Sequence, residues 1–306
     1  LSATETFGAV AGAFLATHRF DLVHALSATS AIAARMSGHR VVFTTLGHPT
    51  VEDFGYRGHG SRQLFTLAAR LSSVATGLSR SAAAQVEAIS GRPAVVLSPG
   101  VRTDSFQPDL SPRAGPVRIL FPSDASERRK GLDVLVAAVG RLLDRHPDTR
   151  LQLAGPGEHG WVLAGDGPFR LPPPDPAATA AIDVLGVGEL GDMPARYRGA
   201  TVTVLVSAAE AFGLVLVESL ACGTPVVGGD AGGSTDILEG HPEVGEAVRY
   251  GDVDGLVSGL DSAIALARRP DTPARCVAHA ARWDWRAGPG PAHEDLYRSV
   301  VRRPRR

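Results

Sequence analysis

The 306-residue sequence contains no asparagine and a single lysine, Lys130, against 30 arginines. A GC-rich genome that drives out Lys and Asn codons accounts for the bias, and Lys130 then reads in one of two ways. It is a chance survivor, or it marks a position where a compact, flexible ammonium serves and a planar guanidinium does not. The two cysteines, Cys222 and Cys276, are too few for a disulfide framework or a zinc site, and point to a reducing, cytoplasmic compartment. No apolar run reaches the ~18 residues of a membrane-spanning helix. The apolar start Leu1–Ala16 lacks the basic flank of a secretory signal. Neither sign of charge dominates: 31 Lys+Arg face 32 Asp+Glu, which argues against a nucleic-acid binder working by phosphate neutralisation. What remains is an ordinary globular composition, 44% hydrophobic and 21% charged, long enough for about two domains of ~150 residues.

Short apolar runs alternate with helix-period segments from end to end, the pattern of a parallel α/β protein. In the first third, Asp21–Ala25, Val41–Leu46, Val74–Ala75 and Ala94–Leu97 read as buried strands, with helices at Phe7–Thr17, Ser30–Met36, Ser61–Ser72 and Arg80–Ile89 between them. The Pro/Gly/Asp/Ser-rich stretch Ser98–Pro116 reads as an interdomain linker. The rhythm then restarts, with strands at Val117–Phe121, Leu151–Ala154, Ile182–Leu185, Val202–Val206, Pro225–Val227 and Val244–Arg249. Helices are expected at Leu132–Arg145, Met193–Arg198, Leu214–Ala221 and Gly255–Ala267, and a last helix at Glu294–Arg302 is expected to fold back on the first half. The division expected is an N-terminal domain at 1–104, a linker at 105–116, a C-terminal domain at 117–285, and a helix with a basic tail at 286–306. Four strands against six, in a chain without an initial Met, give the expectation that about 60–80 residues, two βα units, precede this sequence. The tail Arg302–Arg306 (RRPRR) reads as a solvated end, with peripheral contact to a membrane surface as the minority reading.

The segment richest in chemistry is Ser207–Val227, SAAEAFGLVLVESLACGTPVV. It follows a strand, places Glu210 in a loop, turns at Phe212–Gly213, and opens a helix at Leu214 that ends before Gly223 and Pro225. Unbonded backbone N–H groups at Gly213, Leu214 and Val215 make an anion site favoured by the helix dipole. Glu218 stands one turn inside that helix, so one carboxylate precedes the anion site and one follows it. Such an arrangement suits a phosphate flanked by two hydroxyl-bearing rings, as in a nucleotide sugar. Taken singly, Glu210 and Glu218 also read as ordinary helix-end and surface charges.

The same segment resembles the E-x7-E signature of retaining glycosyltransferases of family 4, whose GT-B architecture has two facing Rossmann-like domains of parallel sheets with helices on both faces. Further landmarks occur in the expected order. Phe121–Gly131 (FPSDASERRKG) resembles the family's strand–loop–helix ending in Lys-Gly, and Val96–Pro108 (VLSPGVRTDSFQP) its linker. Asp21–His24 (DLVH) and Thr44–Pro49 (TTLGHP) are similar to strands of its N-terminal domain. The resemblance implies a metal-independent transfer of a sugar from a nucleotide-diphosphate donor to a carbohydrate, lipid or natural-product hydroxyl, with no cofactor. Lys130 and the amides of Gly213–Val215 would meet the diphosphate, with Arg128 or Arg129 assisting from the same loop. Glu218 would hold the ribose and Glu210 the transferred sugar, and Gly186–Val187 would line the nucleobase pocket. His48 would orient sugar or acceptor, and reads equally well as a structural loop histidine.

The sequence departs from this pattern in places. Ser123–Asp124 stands where the family carries Gly-Arg, placing an acid beside the diphosphate, and Thr235–Asp236 replaces the usual Pro-Glu. These departures keep open a non-catalytic paralogue that binds a nucleotide sugar or scaffolds a partner. A glycoside hydrolase using Glu210 and Glu218 fits poorly, because eight residues along one helix span ~12 Å. Gly155–Gly160 (GPGEHG) and Gly186–Gly191 (GVGELG) match G-x-G-x-x-G without the acidic partner that a dinucleotide site needs. Asp254, within Asp252–Asp254, is expected to cap the following helix, and Cys222 to pack rather than react.

Overall fold

The computed structural model describes residues 3–49 and 60–302, and its chain divides into two compact units, Leu1–Pro99 with Arg286–Arg306, and Gly100–Trp285. In the first unit the order is α1 (Ala3–Thr17), β1 (Val23–Ala25), α2 (Ala28–Met36), β2 (Val41–Thr44), α3 (Ser61–Leu71), β3 (Val74–Gly77), α4 (Arg80–Ser90) and β4 (Ala94–Val96). The strands form a parallel sheet in the order β1-β2-β3-β4. Alternation along β2 assigns its two faces. Val41 and Phe43 pack with Leu15, Ala31, Ala34, Phe65, Ala68 and Val86, whereas Val42 meets Val74 and Val300. Serines start two of the helices: Ser27 accepts the Ser30 N–H ahead of α2, and Ser79 the Ala82 N–H ahead of α4.

The second unit runs β5 (Arg118–Phe121), α5 (Leu132–Leu142), β6 (Arg150–Leu153), α6 (Gly160–Leu163), α7 (Pro176–Ala180), β7 (Ile182–Val184), α8 (Met193–Gly199), β8 (Val202–Leu205), α9 (Leu214–Ala221), β9 (Val226–Gly229), α10 (Ser234–Leu238), β10 (Gly245–Val248), α11 (Val253–Ala267) and α12 (Thr272–Ala280). The last helix, α13 (Pro289–Arg302), returns to the first unit, where Val300 is fully buried. The six-stranded sheet has the order β10-β9-β8-β5-β6-β7 with every neighbouring pair parallel. Both faces are covered. Ile119 and Phe121 of β5 join α5 and α11 in the larger core, while Leu120 between them packs with Tyr197, Ala200 and Cys222 on the other face.

The chain leaves β5 outward through β6 and β7, then returns to the opposite side of β5 as β8. The direction of winding therefore reverses between β5 and β8, and in open parallel sheets ligands bind beyond the carboxyl ends of the strands at such a point.

Residues 100–116 carry no helix or strand but are built into the second unit. Val101 bridges to Asp284, and Arg113 donates to the Ala200 carbonyl at 3.2 Å and to Thr224 Oγ1 at 3.0 Å. The α11 cap is Asp252, which accepts the Gly255 N–H at 2.8 Å, and not Asp254, whose carboxylate instead pairs with Arg141. Asp254 follows the first helical residue, too late for its carboxylate to serve as the cap. Cys222 and Cys276 are fully buried, which pushes each thiol up to about 12. Among the described residues no helix is long and apolar enough to cross a membrane. Residues 303–306 of the basic tail lie outside the described residues.

Candidate functional site

The loops that follow β5 and β8 are tied together at the point where the winding reverses. The Ala208 N–H donates to the Arg129 carbonyl at 2.8 Å, and Arg129 Nη1 returns a bond to the Ala209 carbonyl at 3.0 Å. A 3-10 turn, Arg128–Lys130, ends at Gly131 with φ of 71°. A Cβ there would lie 2.6 Å from the Val206 carbonyl oxygen, so both the conformation and the close approach require glycine. Held in this way, Lys130 Nζ donates to Glu210 Oε2 at 2.9 Å. The two side chains are only 14% and 17% exposed, so the pair is mostly withdrawn from water.

Behind Glu210 the chain turns at Gly213, φ 101°, and α9 begins at Leu214. Glu210 is fixed from behind as well, its carbonyl accepting the Gly233 N–H at 2.7 Å. Glu218 lies one turn into α9, where Tyr197, wholly buried, donates its hydroxyl to Oε2 at 2.7 Å. Burial raises the Glu218 carboxyl above the usual carboxylate range, and the Tyr197 bond offsets part of that rise. The same burial, with Glu218 beside it, pushes the Tyr197 phenol well above its ordinary value and keeps it protonated as a donor.

The structure thus brings Lys130 and Glu210 together directly, with the helix start at Gly213 three residues after Glu210 and Glu218 one turn into that helix, held by Tyr197. The other expected residues are placed as follows. Arg129 pairs with Glu127 at 2.6 Å and braces the two loops through Ala209. Arg128 turns away to Asp166 at 2.7 Å and lies over the Trp161 ring, 5.3 Å from its centroid. Asp124 folds onto its own loop, accepting the Ser126 N–H at 2.8 Å and hydroxyl at 2.6 Å. Those two bonds, with burial opposing and Lys130 nearby, hold its carboxyl below the ordinary range. Gly186, φ 64°, has its carbonyl pinned by Arg196 Nη1 at 2.8 Å, while Val187, three residues beyond β7, is 73% exposed. His48 belongs to the first unit, with Nε2 2.8 Å from Ser81 Oγ.

The family described as "Glycosyl transferases group 1" matches residues 106–283, more than half of the chain. The chain belongs to that family. Among curated relatives, a D-inositol 3-phosphate glycosyltransferase of Acidothermus cellulolyticus is 35% identical over 218 residues, covering 62% of this chain and 44% of the relative. A GDP-mannose-dependent alpha-(1-6)-phosphatidylinositol monomannoside mannosyltransferase of Mycolicibacterium smegmatis is 32% identical over 217 residues, covering 62% and 52%. The chain therefore spans about half the length of these relatives. Two solved structures share its fold. A sucrose-phosphate synthase from Thermosynechococcus elongatus has a TM-score of 0.78 at 20% identity, covering 98% of this chain and 79% of that one. HepE of Anabaena with UDP and glucose gives 0.76 at 18% identity, covering 98% and 83%. The α/β fold of parallel sheets with helices on both faces is that of GT-B glycosyltransferases.

Within this group 1 glycosyltransferase fold, two contributors were invisible to sequence reasoning. Tyr197 lies 21 residues before Glu218 on a different helix, and nothing in MPARYRG marks it as a partner. The main-chain link from Arg129 to Ala208 depends on the adjacency of β5 and β8, which no local pattern encodes.

Proposed function

We propose that the chain transfers a sugar, with retention of anomeric configuration and in the manner of family 4, from a nucleoside-diphosphate sugar to a hydroxyl acceptor. The observation that carries this reading is the Lys130–Glu210 pair at 2.9 Å, set in the loops after β5 and β8 where the sheet reverses its winding, with Glu210 three residues before the Gly213 helix start. Departure of the nucleoside diphosphate concentrates negative charge on the β-phosphate. Preorganised donors at that place lower the barrier most, because they need no reorganisation during reaction. Lys130 and the amides of Gly213–Val215 supply them, and the reacting centre then needs no metal or cofactor. Glu218 Oε1, with no partner among the described residues, accepts from the ribose, and the base lies along Gly186 and Val187. Glu210, on losing Lys130 to the phosphate, takes hydroxyls of the transferred sugar. The acceptor hydroxyl attacks from the side the phosphate leaves, and the departing phosphate oxygen receives its proton.

The names of the two relatives make a guanosine diphosphate sugar and an inositol phosphate or inositol-lipid head group the first donor and acceptor to try. Action on a lipid head group would bring the protein to a membrane surface from a cytoplasmic location. Thermal unfolding with UDP, GDP, dTDP and ADP tests the donor site. A nucleotide at 100 times its Kd adds ~2.7 kcal/mol, a rise of about 5–10 °C for a unit of this size. That rise should vanish in Lys130→Ala. Glu210→Ala should keep nucleotide binding and lose sugar transfer. Nucleotide binding without turnover in the parent protein would favour the non-catalytic paralogue, and no stabilisation by any of the four would overturn the donor assignment.

A further inference from the structure

His241 and Glu243 lie on the loop joining α10 to β10, and His279 on the last turn of α12. One ligand atom from each falls within 4.8 Å of the other two. We propose that these three side chains form a site for a transition-metal dication of the zinc class. Neither cysteine takes part. The site stands apart from the donor reading, so either can fail alone.

The hydrogen bonds already arrange the lone pairs. His279 Nε2 lies 2.7 Å from the Ile237 carbonyl, which can only accept, so Nε2 holds the proton and Nδ1 is left with its lone pair. Metal-binding histidines are oriented by this kind of bond from the second ring nitrogen. His279 is 7% exposed and tilted against His241, with ring centroids 4.2 Å apart. His241 Nδ1 sits 3.0 Å from Glu243 Oε1, and its Nε2 3.1 Å from Arg282 Nη1. A guanidinium only donates, so in this state Nε2 accepts and Nδ1 gives its proton to the carboxylate. Two imidazoles and a carboxylate, leaving a fourth position for water, are a donor set that zinc favours.

Arg282 supplies the positive charge that the cluster needs when no dication is bound. Its guanidinium is exposed, so it can be displaced into water, and it lies over Trp283, 5.0 Å from the ring centroid. Loading the dication breaks the His241–Glu243 bond and releases Arg282 to solvent. One nitrogen of His241 binds while the other keeps the proton. The site ties the end of α10 to α12, directly behind the donor loop. Trp283 contacts both His279, with ring centroids 5.3 Å apart, and Phe212, at 6.0 Å, and Phe212 immediately precedes Gly213.

The test uses protein without a polyhistidine tag, treated with EDTA and desalted, then titrated with zinc in a calorimeter and with cobalt(II) by visible absorption. One equivalent of zinc should bind, and cobalt should give the visible bands of a four- or five-coordinate nitrogen–oxygen site. His241→Gln and Glu243→Gln should each weaken zinc by at least about tenfold. His18→Gln, exposed in the other unit, should leave it unchanged, and Arg282→Ala should tighten it several-fold. Absence of binding, equal binding by parent and Glu243→Gln, or no tightening in Arg282→Ala would overturn the proposal.

Discussion

Replacing Lys130 by Met keeps the length of the side-chain stem but strands the Glu210 carboxylate. Breaking a fully buried ion pair from one side costs ~3–5 kcal/mol, and an exposed pair contributes ~0–1 kcal/mol. With side chains 14% and 17% exposed, this pair falls between the limits, and about 2 kcal/mol is expected. For a unit of this size that lowers the unfolding midpoint by about 4–8 °C. Glu210→Gln leaves the ammonium able to turn toward water on its flexible stem and should cost about half as much. In Lys130→Met/Glu210→Gln no charge is left uncompensated, so the midpoint should recover to within about 2 °C of the parent. Differential scanning fluorimetry of the four proteins at low and high salt, without nucleotide, closes the cycle. If the double variant falls by the sum of the singles, the two side chains do not depend on one another. The placement of Lys130 against Glu210 would then be wrong as the resting state of the site.

The Glu218 carboxyl, raised by burial, binds protons in the folded chain more tightly than in the unfolded one. Its contribution therefore favours folding at low pH and is lost as pH rises from about 4.5 through its folded value. Glu218→Gln should gain stability relative to the parent at pH 8 compared with pH 4.5, in paired melts, while losing nucleotide stabilisation; a pH-independent difference would contradict the burial. Tyr197→Phe removes a bond to that carboxylate and should cost ~1.5–3 kcal/mol, more at pH 8 than at pH 4.5, because the bond favours the ionised form. Equal losses at both pH values would show that the hydroxyl does not act through Glu218. Gly233→Ala would set a Cβ 2.2 Å from the Phe212 Cα, a backbone atom that cannot yield without moving the Glu210 loop. A loss of ~1–3 kcal/mol with weaker nucleotide stabilisation is expected, and an unchanged titration would disconnect this glycine from the donor loop.

The strands were legible because parallel strands covered on both faces are short continuous apolar runs, as at Ile119–Phe121 and Val202–Leu205. The helices that no sequence periodicity marks are short or begin in loop-like composition. Gly160–Leu163 lies among glycines, and Pro176–Ala180 opens on a proline after a proline run. Thr272–Ala280 was readable in principle, since Pro273 in its first turn is a start signal rather than a break. Lys130 and Glu210 were each legible, the first by rarity and the second by its glycine turn. Their contact was not, because it follows from which strands lie side by side. His241, Glu243 and His279 show no metal-binding spacing at all; a packed helix end, not a sequence motif, brings the last to the first two.

Lys130 carries the only side-chain amine in the sequence, and it lies in the loop that joins β5 to α5. Reagents that acylate amines would therefore read this one side chain, apart from the terminal α-amine, on an otherwise silent surface of arginines, and its shielding by Glu210 or by a bound nucleotide becomes directly countable by mass. A protease specific for lysine has a single bond to cut, Lys130–Gly131, at the end of the 3-10 turn Arg128–Lys130. The rate at which that bond is cut is a clock for how often the turn opens.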